Sequence, residues 1–360
     1  MYEQAREDIF FIMLYAVVTA MAILASCYLL FRRGNAFAPD IMPPVRLRRW
    51  TAMLFVSIAL VHVWYMPLFF LTSADDILLT ELICGMLDSM TVFPLSIAVM
   101  FAMLQDRRRP LWPIAVMTAP IVVGMAASIV RRSAALYPVM YVYIQLLGIG
   151  LIIYMVRETR RYGRWLRDNY ADLEHKEVVQ SFTVLAIMLL VFVFYEICNE
   201  GMAYLYAMLA ISIVLICYLL WRVETLSDLS IHVNDAEEEP QLPLSIRNNI
   251  GPLLKTYCEE PQLYLQHDLT LSQLAKAIGT NRLYLSQYFS NQGMTYNTYV
   301  NSLRIHHFVN LYRETTATHQ SVTAQQLAFQ SGFRSYNTFS VAFKKMMGMT
   351  MTEWMRNVAE

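Results

Sequence analysis

Between Ile9 and Trp221 the chain is a succession of long apolar runs separated by short polar stretches. Crossing a bilayer as a helix takes ~20 mostly apolar residues. Seven runs meet that requirement, at about 9–31, 50–72, 77–104, 111–130, 136–156, 179–198 and 201–221. One such run would fit the buried helix of a soluble protein, but seven within the first 221 residues predict a transmembrane bundle. The first run is too long, and too closely followed by further spans, to be a cleaved signal peptide. After Trp221, RVETLSDLSIHV is expected to prolong the last helix by a few turns. NDAEEEPQLP then reads as an acidic linker in which Pro240 and Pro243 block regular helix. The expected division is 1–221 membrane domain, 222–243 juxtamembrane helix and linker, and 244–360 soluble domain.

In the last part the pattern changes to short amphipathic helices punctuated by glycine. Thr270 and Gln273 have the spacing of a capping box, in which each side chain satisfies a free backbone donor at a helix start. Leu271, Leu274, Ala275 and Ile278 follow at i, i+3, i+4 and i+7, forming one apolar stripe. Gly279 is placed to end that helix in the left-handed conformation. A second helix follows, with Leu285, Tyr288 and Phe289 on its inner face. Two short helices joined by a tight glycine turn make a helix-turn-helix.

The same grammar returns 53 to 55 residues later. Thr323 and Gln326 repeat the box, Leu327 and Ala328 match Leu274 and Ala275, and Gly332 matches Gly279. Phe339 and Phe343 match Leu285 and Phe289, and GMTMTEW from Gly348 matches GMTYNTY from Gly293. Between the repeats, YNTYVNSLRIHHFVNLYRE reads as one helix of about 17–19 residues, ~26–28 Å long. Such a spacer lets two reading heads approach successive major grooves, which recur every ~34–36 Å. The expected fold class is all-α: a seven-helix transmembrane bundle followed by a cytoplasmic double helix-turn-helix domain.

Composition agrees with the membrane reading: 57% of residues are hydrophobic and 16% charged, more apolar than an ordinary soluble chain. The formal net charge is zero, but residues 244–360 hold ten Lys and Arg against six Asp and Glu, about +4. A mildly basic, compact end is permissive for nucleic acid. Loop arginines and lysines give the orientation. The segments after spans one, three and five carry 14 of them, among them Arg107, Arg109 and Lys176, against three (Arg6, Arg131, Arg132) on the opposite side. The N-terminus is therefore expected outside and the soluble domain in the cytoplasm. The five cysteines show no C-x-x-C pattern and read as small buried hydrophobes.

Residues 263–356 resemble the AraC/XylS-type DNA-binding domain, through LTLSQLAKAIGTNRLYLSQYF, RIHHFVNLYRE and LAFQSGFRSYNTFSVAFKKMMGMT. The resemblance covers about a quarter of the chain and implies a transcription regulator with two helix-turn-helix units. It makes double-stranded promoter DNA the partner, RNA polymerase a candidate partner and a homodimer the expected assembly; together with the spans, the expected location is the inner membrane of a bacterium. Nothing resembles the family's sugar-binding barrel; the membrane region stands in the sensor's place. Departures from the family pattern are Gln287 and Val341, where a basic residue is common, and Met351, where proline is usual.

On ideal helices the faces opposite the core residues carry Leu283, Ser286, Gln287 and Ser290 in the first unit and Asn337, Ser340, Val341 and Lys344 in the second. Gln287 and Asn337 suit a bidentate bond to an adenine edge, and Leu283 and Val341 suit a thymine methyl. Arg282, Arg334, Lys344 and Lys345 are expected to reach phosphates, which position a protein without reading sequence.

Among the polar residues of the spans, Asp88 lies near the middle of the third and is the candidate for receiving a signal, from a small molecule, a lipid or a membrane protein. The ordinary alternative is an interhelical hydrogen bond. Trp50, Trp112, Tyr137, Tyr141 and Tyr154 near span ends read as interfacial anchors. The spans hold no lysine, which excludes a retinal Schiff base. No nucleophile–base pair, metal cluster or phosphate loop stands out, so no enzyme, cofactor or metal is expected. The rival readings are a transporter with a regulatory DNA-binding tail, which requires internally repeated broken helices, and a scaffold whose tail binds another protein.

Overall fold

The computed structural model describes residues 2–32, 35, 36, 39, 41–198, 201–229, 250–318 and 322–359. Among these residues the fold is all-α, with no strand and a single isolated β-bridge. The chain forms two compact units, Met1–Arg161 with Val178–Ser230, and Tyr162–Glu177 with Ile231–Glu360. The segment 162–177, in sequence a loop between two spans, therefore belongs to the same unit as the C-terminal helices.

The first unit comprises α1 (Tyr2–Glu7), α2 (Ile9–Phe31), α3 (Val45–Tyr65), α4 (Ala74–Met90), α5 (Val92–Met103), α6 (Trp112–Arg131), α7 (Tyr137–Asn169, up to Arg161), α8 (Val179–Cys198) and α9 (Met202–Thr225). Asp8 caps α2 by accepting from the backbone N–H groups of Phe10 and Phe11. α2 packs on α3 and α9, α3 on α5, α4 on α6 and α8 on α9. Six described helical stretches are long and apolar enough to cross a membrane. The remaining predicted span corresponds to α8, whose described apolar part is Val179–Val191. Large apolar side chains such as Phe10, Leu24, Val123 and Leu146 point outward. An apolar exterior on this scale is foreign to a monomer in water and compatible with a membrane domain.

Four features differ from the sequence-based expectations. The third span is broken at Thr91 (φ −120°, ψ −70°), where Pro94 supplies no N–H and the Thr91 hydroxyl donates back to the Leu87 carbonyl at 2.7 Å. α7 continues 13 residues beyond 156, because RETRRYGRWLRDN holds no proline and mostly good helix formers. The last helix stops at Thr225, one turn past Trp221 rather than several. There the Gln105 side chain donates to the Ser227 carbonyl (2.9 Å) and accepts from the Leu229 N–H (2.8 Å), holding the chain extended. Finally, Cys84 and Cys258 are buried as expected, but Cys27 and Cys217 lie on the exposed surface of their helices. The acidic linker Asn234–Pro243 lies outside the described residues.

The second unit contains α10 (Ile250–Leu254), α11 (Leu271–Ala277), α12 (Arg282–Asn291), α13 (Tyr296–Ala317), α14 (Ala324–Gln330), α15 (Tyr336–Met347) and α16 (Met351–Ala359), besides the strap 162–177. Both predicted capping boxes form, Thr270 with Gln273 and Thr323 with Gln326. A third reciprocal pair, Thr350 with Glu353, starts α16 and lowers the pKa of the Glu353 carboxyl through the Thr350 N–H. Leu274, Leu285, Phe289 and Val300 close one core, and Phe308, Phe339, Phe343 and Trp354 a second. The spacer α13 contributes to both and has 22 residues, longer than the 17–19 expected.

Gly279 (φ 72°) and Gly332 (φ 87°) both take the left-handed conformation the repeat requires. Their surroundings differ. A Cβ at Gly332 would fall 2.8 Å from the Leu265 Cα and 2.9 Å from its carbonyl oxygen, whereas nothing lies within 4 Å at Gly279. Gly279→Ala should cost ~1–2 kcal/mol, the left-handed penalty alone. Gly332→Ala should cost at least ~3 kcal/mol, because backbone atoms must also move. Thermal unfolding of the purified protein checks this; equal losses at the two sites would contradict it.

Candidate nucleic-acid interface

The second helix of each helix-turn-helix, α12 and α15, is started by a side-chain cap and oriented by two buried residues. In α12 the Asn281 side-chain Oδ1 accepts from the Tyr284 N–H at 2.9 Å, while Leu285 and Phe289 enter the core. In α15 the Ser335 hydroxyl accepts from the Thr338 N–H at 3.2 Å, while Phe339 and Phe343 enter the second core. With those residues inside, helical periodicity turns the opposite face out. Leu283 is 71% exposed and Val341 65%. Gln287, Ser290, Asn337, Lys344 and Lys345 are exposed; Ser286, Ser340, Arg282 and Arg334 are half-buried. The Arg334 guanidinium sits 3.4 Å from Asp268, a carboxylate that also lies 3.7 Å from the Lys176 ammonium.

The two units of the repeat meet at a joint that sequence reasoning missed. Arg304, at the middle of α13, is 1% exposed. Its Nε donates to the Tyr264 carbonyl (2.8 Å), and Nη2 donates to the carbonyls of Gln266 (2.6 Å) and His267 (3.2 Å). Its guanidinium also lies 5.7 Å from the centroid of the Phe333 ring. Burial lowers its pKa to about 10, which leaves it charged at neutral pH. His267 Nδ1 is 3.1 Å from the Gly332 carbonyl oxygen, so the stretch 264–267 is tied to both helix-turn-helix units. The available signal was positional: Val300, Arg304 and Phe308 share one buried stripe, and a cation on such a stripe marks a paired site.

In the first unit Asp88 accepts from Trp64 Nε1 (3.1 Å) and from the Tyr65 hydroxyl (3.0 Å), so α3 and α4 are bridged there. Tyr2 donates to Glu81 at 2.9 Å. Arg107 and Arg109, counted as loop cations, both pair with Glu158, at 2.8 and 2.7 Å. Among the described residues no cluster of His, Cys, Asp and Glu is able to hold a metal ion.

Residues 274–357 match a helix-turn-helix domain family, of the AraC type. The match includes both reading helices and the whole of α13. No curated protein and no solved structure matches the chain. The C-terminal unit thus carries an AraC-type helix-turn-helix domain, the DNA-binding part of a transcription regulator, and this domain is regulatory rather than catalytic.

If the outward faces contact DNA as their exposure suits them to, Lys344→Ala should weaken binding evenly across sequences and reduce the slope of log K against log salt by ~1. Gln287→Ala should instead cost ~1–3 kcal/mol on the preferred duplex and relax the preference at one base pair. Fluorescence anisotropy over a salt series, on duplexes varied one pair at a time, distinguishes the two behaviours.

Proposed function

We propose that the protein is a membrane-integrated, one-component transcription regulator. The apolar unit spans the inner membrane with the N-terminus outside, and the double helix-turn-helix domain reads promoter DNA in the cytoplasm. The observation that carries this reading is the pair of outward reading helices, α12 and α15, coupled by one buried arginine and one spacer. At ~1.5 Å per residue, the 22 residues of α13 measure ~33 Å, close to the ~34–36 Å repeat of the major groove. Gln287 and Asn337 then read base edges, Leu283 and Val341 pack on thymine methyls, and Arg282, Arg334, Lys344 and Lys345 hold the backbone.

Homodimerisation is supported by α7. Val139, Val142, Leu146, Ile149 and Ile153 are all exposed and recur at alternating steps of three and four, the spacing by which two helices mesh. Asp88 is the candidate for sensing a small molecule or membrane protein, and RNA polymerase is a candidate partner through the family resemblance. The alternative, a transporter with a DNA-binding tail, draws on the helix break at Thr91 beside Asp88.

Genome-wide DNA capture with the intact protein tests the proposal, run beside Gln287→Ala/Asn337→Ala. Discrete promoter peaks that fade at least ~10-fold in the double variant are expected, since two base contacts at ~1–3 kcal/mol each are lost. Absence of enrichment under every growth condition would favour the transporter.

A further inference from the structure

The strap 162–177 is held to the C-terminal helices through contacts made by Tyr170, Ala171, Glu174 and Lys176. Tyr170 forms an antiparallel bridge with Thr270, and the Ala171 N–H donates to the Leu269 carbonyl at 3.3 Å. The Asn297 amide donates to the Ala171 carbonyl (2.6 Å) and the Tyr170 carbonyl (3.3 Å) from the first turn of α13. Ala171, 1% exposed, is part of the core beneath the first helix-turn-helix. Asp172, 2% exposed, is close enough to Arg304 for its charge to be felt there. At the far end the Lys176 ammonium faces Asp268, and the Tyr162 hydroxyl donates to the Lys176 carbonyl, stapling the strap's two ends together.

Between those anchors the strap delivers a carboxylate to the second reading helix. Glu174 accepts from the Thr338 hydroxyl at 3.2 Å, at the third residue of α15. The first turn of a helix is its positive dipole end, and helix N-termini are among the groups that receive DNA phosphates. Asn337, one of the base-facing candidates, is the immediate neighbour. A carboxylate in that position repels an incoming phosphate and holds the hydroxyl that would meet it.

We propose that the loop joining α7 to α8 is an internal ligand of the DNA-binding domain, and that its Glu174 occludes the phosphate position at the start of α15. The proposal rests on the DNA-binding reading above. DNA and the docked strap then compete for one helix end, so binding of either disfavours the other by the same factor. Because the strap is covalently continuous with α7 and α8, a rearrangement of those helices has a direct route to the reading head. That route does not depend on the acidic linker.

The test uses the full chain in lipid nanodiscs and a short fluorescent duplex of mixed sequence at low salt. Its readouts are anisotropy and hydrogen exchange of residues 170–176. Glu174→Gln removes the charge while keeping a hydrogen-bonding side chain, and Asn297→Ala loosens the strap away from α15. Both should tighten duplex binding about threefold or more, since a like charge opposed to phosphate is removed or displaced. Saturating duplex should accelerate exchange at Ala171 in the wild type. Unchanged or weaker binding in Glu174→Gln, with Ala171 equally protected in the presence of duplex, would overturn occlusion while leaving DNA binding intact. Failure of every form to hold duplex would overturn the DNA-binding reading itself, and occlusion with it.

Discussion

The C-terminal unit depends on one buried charge. Arg304 is ionised, almost wholly inaccessible, and held by three main-chain carbonyls rather than by a bonded carboxylate. An ion removed from water is several kcal/mol worse off unless its donors are satisfied. The planar fork of a guanidinium satisfies them only if the segment from Tyr264 to His267 curls around it. That segment in turn carries Leu265, which lies against the one face of Gly332 where no Cβ fits, and His267, which meets the Gly332 carbonyl. Two helix-turn-helix units, each with its own core, are thereby locked through a single side chain on the helix that joins them.

A pair of heads fixed in this way has little freedom to change its spacing, which leaves access to DNA as the natural variable to regulate. On the proposed occlusion, access is what the strap would control. It borders the same joint, through Asp268 and Leu269, and reaches the start of α15 through Glu174. The carboxylate of Asp268 lies between Lys176 of the strap and Arg334 of the reading head, so the charges that hold the strap and those suited to phosphate are drawn from one cluster.

The first unit obeys a different constraint. Its exterior is apolar, and two of its carboxylates are paired: Asp88 by Trp64 and Tyr65, Glu158 by Arg107 and Arg109. In a low-dielectric surrounding an unpaired carboxylate or hydroxyl is costly, so such pairs fix which helices meet. The helix α9 ends under a clamp made by Gln105, and the chain leaves it extended rather than helical. Among the described residues the last span helix ends at Thr225, while α7 runs on to Asn169.

Local periodicity along the chain already encodes much of this protein. Apolar runs of span length, two capping boxes, two left-handed glycines and two pairs of aromatic or aliphatic core positions were all legible, because each depends on residues within one or two turns. The exposure of Leu283, Gln287, Ser290, Asn337 and Val341 on α12 and α15 follows from the same periodicity, with Ser286 and Ser340 half-buried at its edges. Tertiary structure alone decided the rest. Polar sequence from Arg157 to Asn169 became helix, and the loop after it left the span-to-span connection to join the DNA-binding unit, through contacts more than a hundred residues away in sequence. Arg304 read as one more polar residue on a spacer until its three carbonyl partners, about 40 residues upstream, were brought to it. Such pairings carry no local signature: a hydrogen bond or a buried charge is specified by both of its ends, and only the folded chain brings the two ends together.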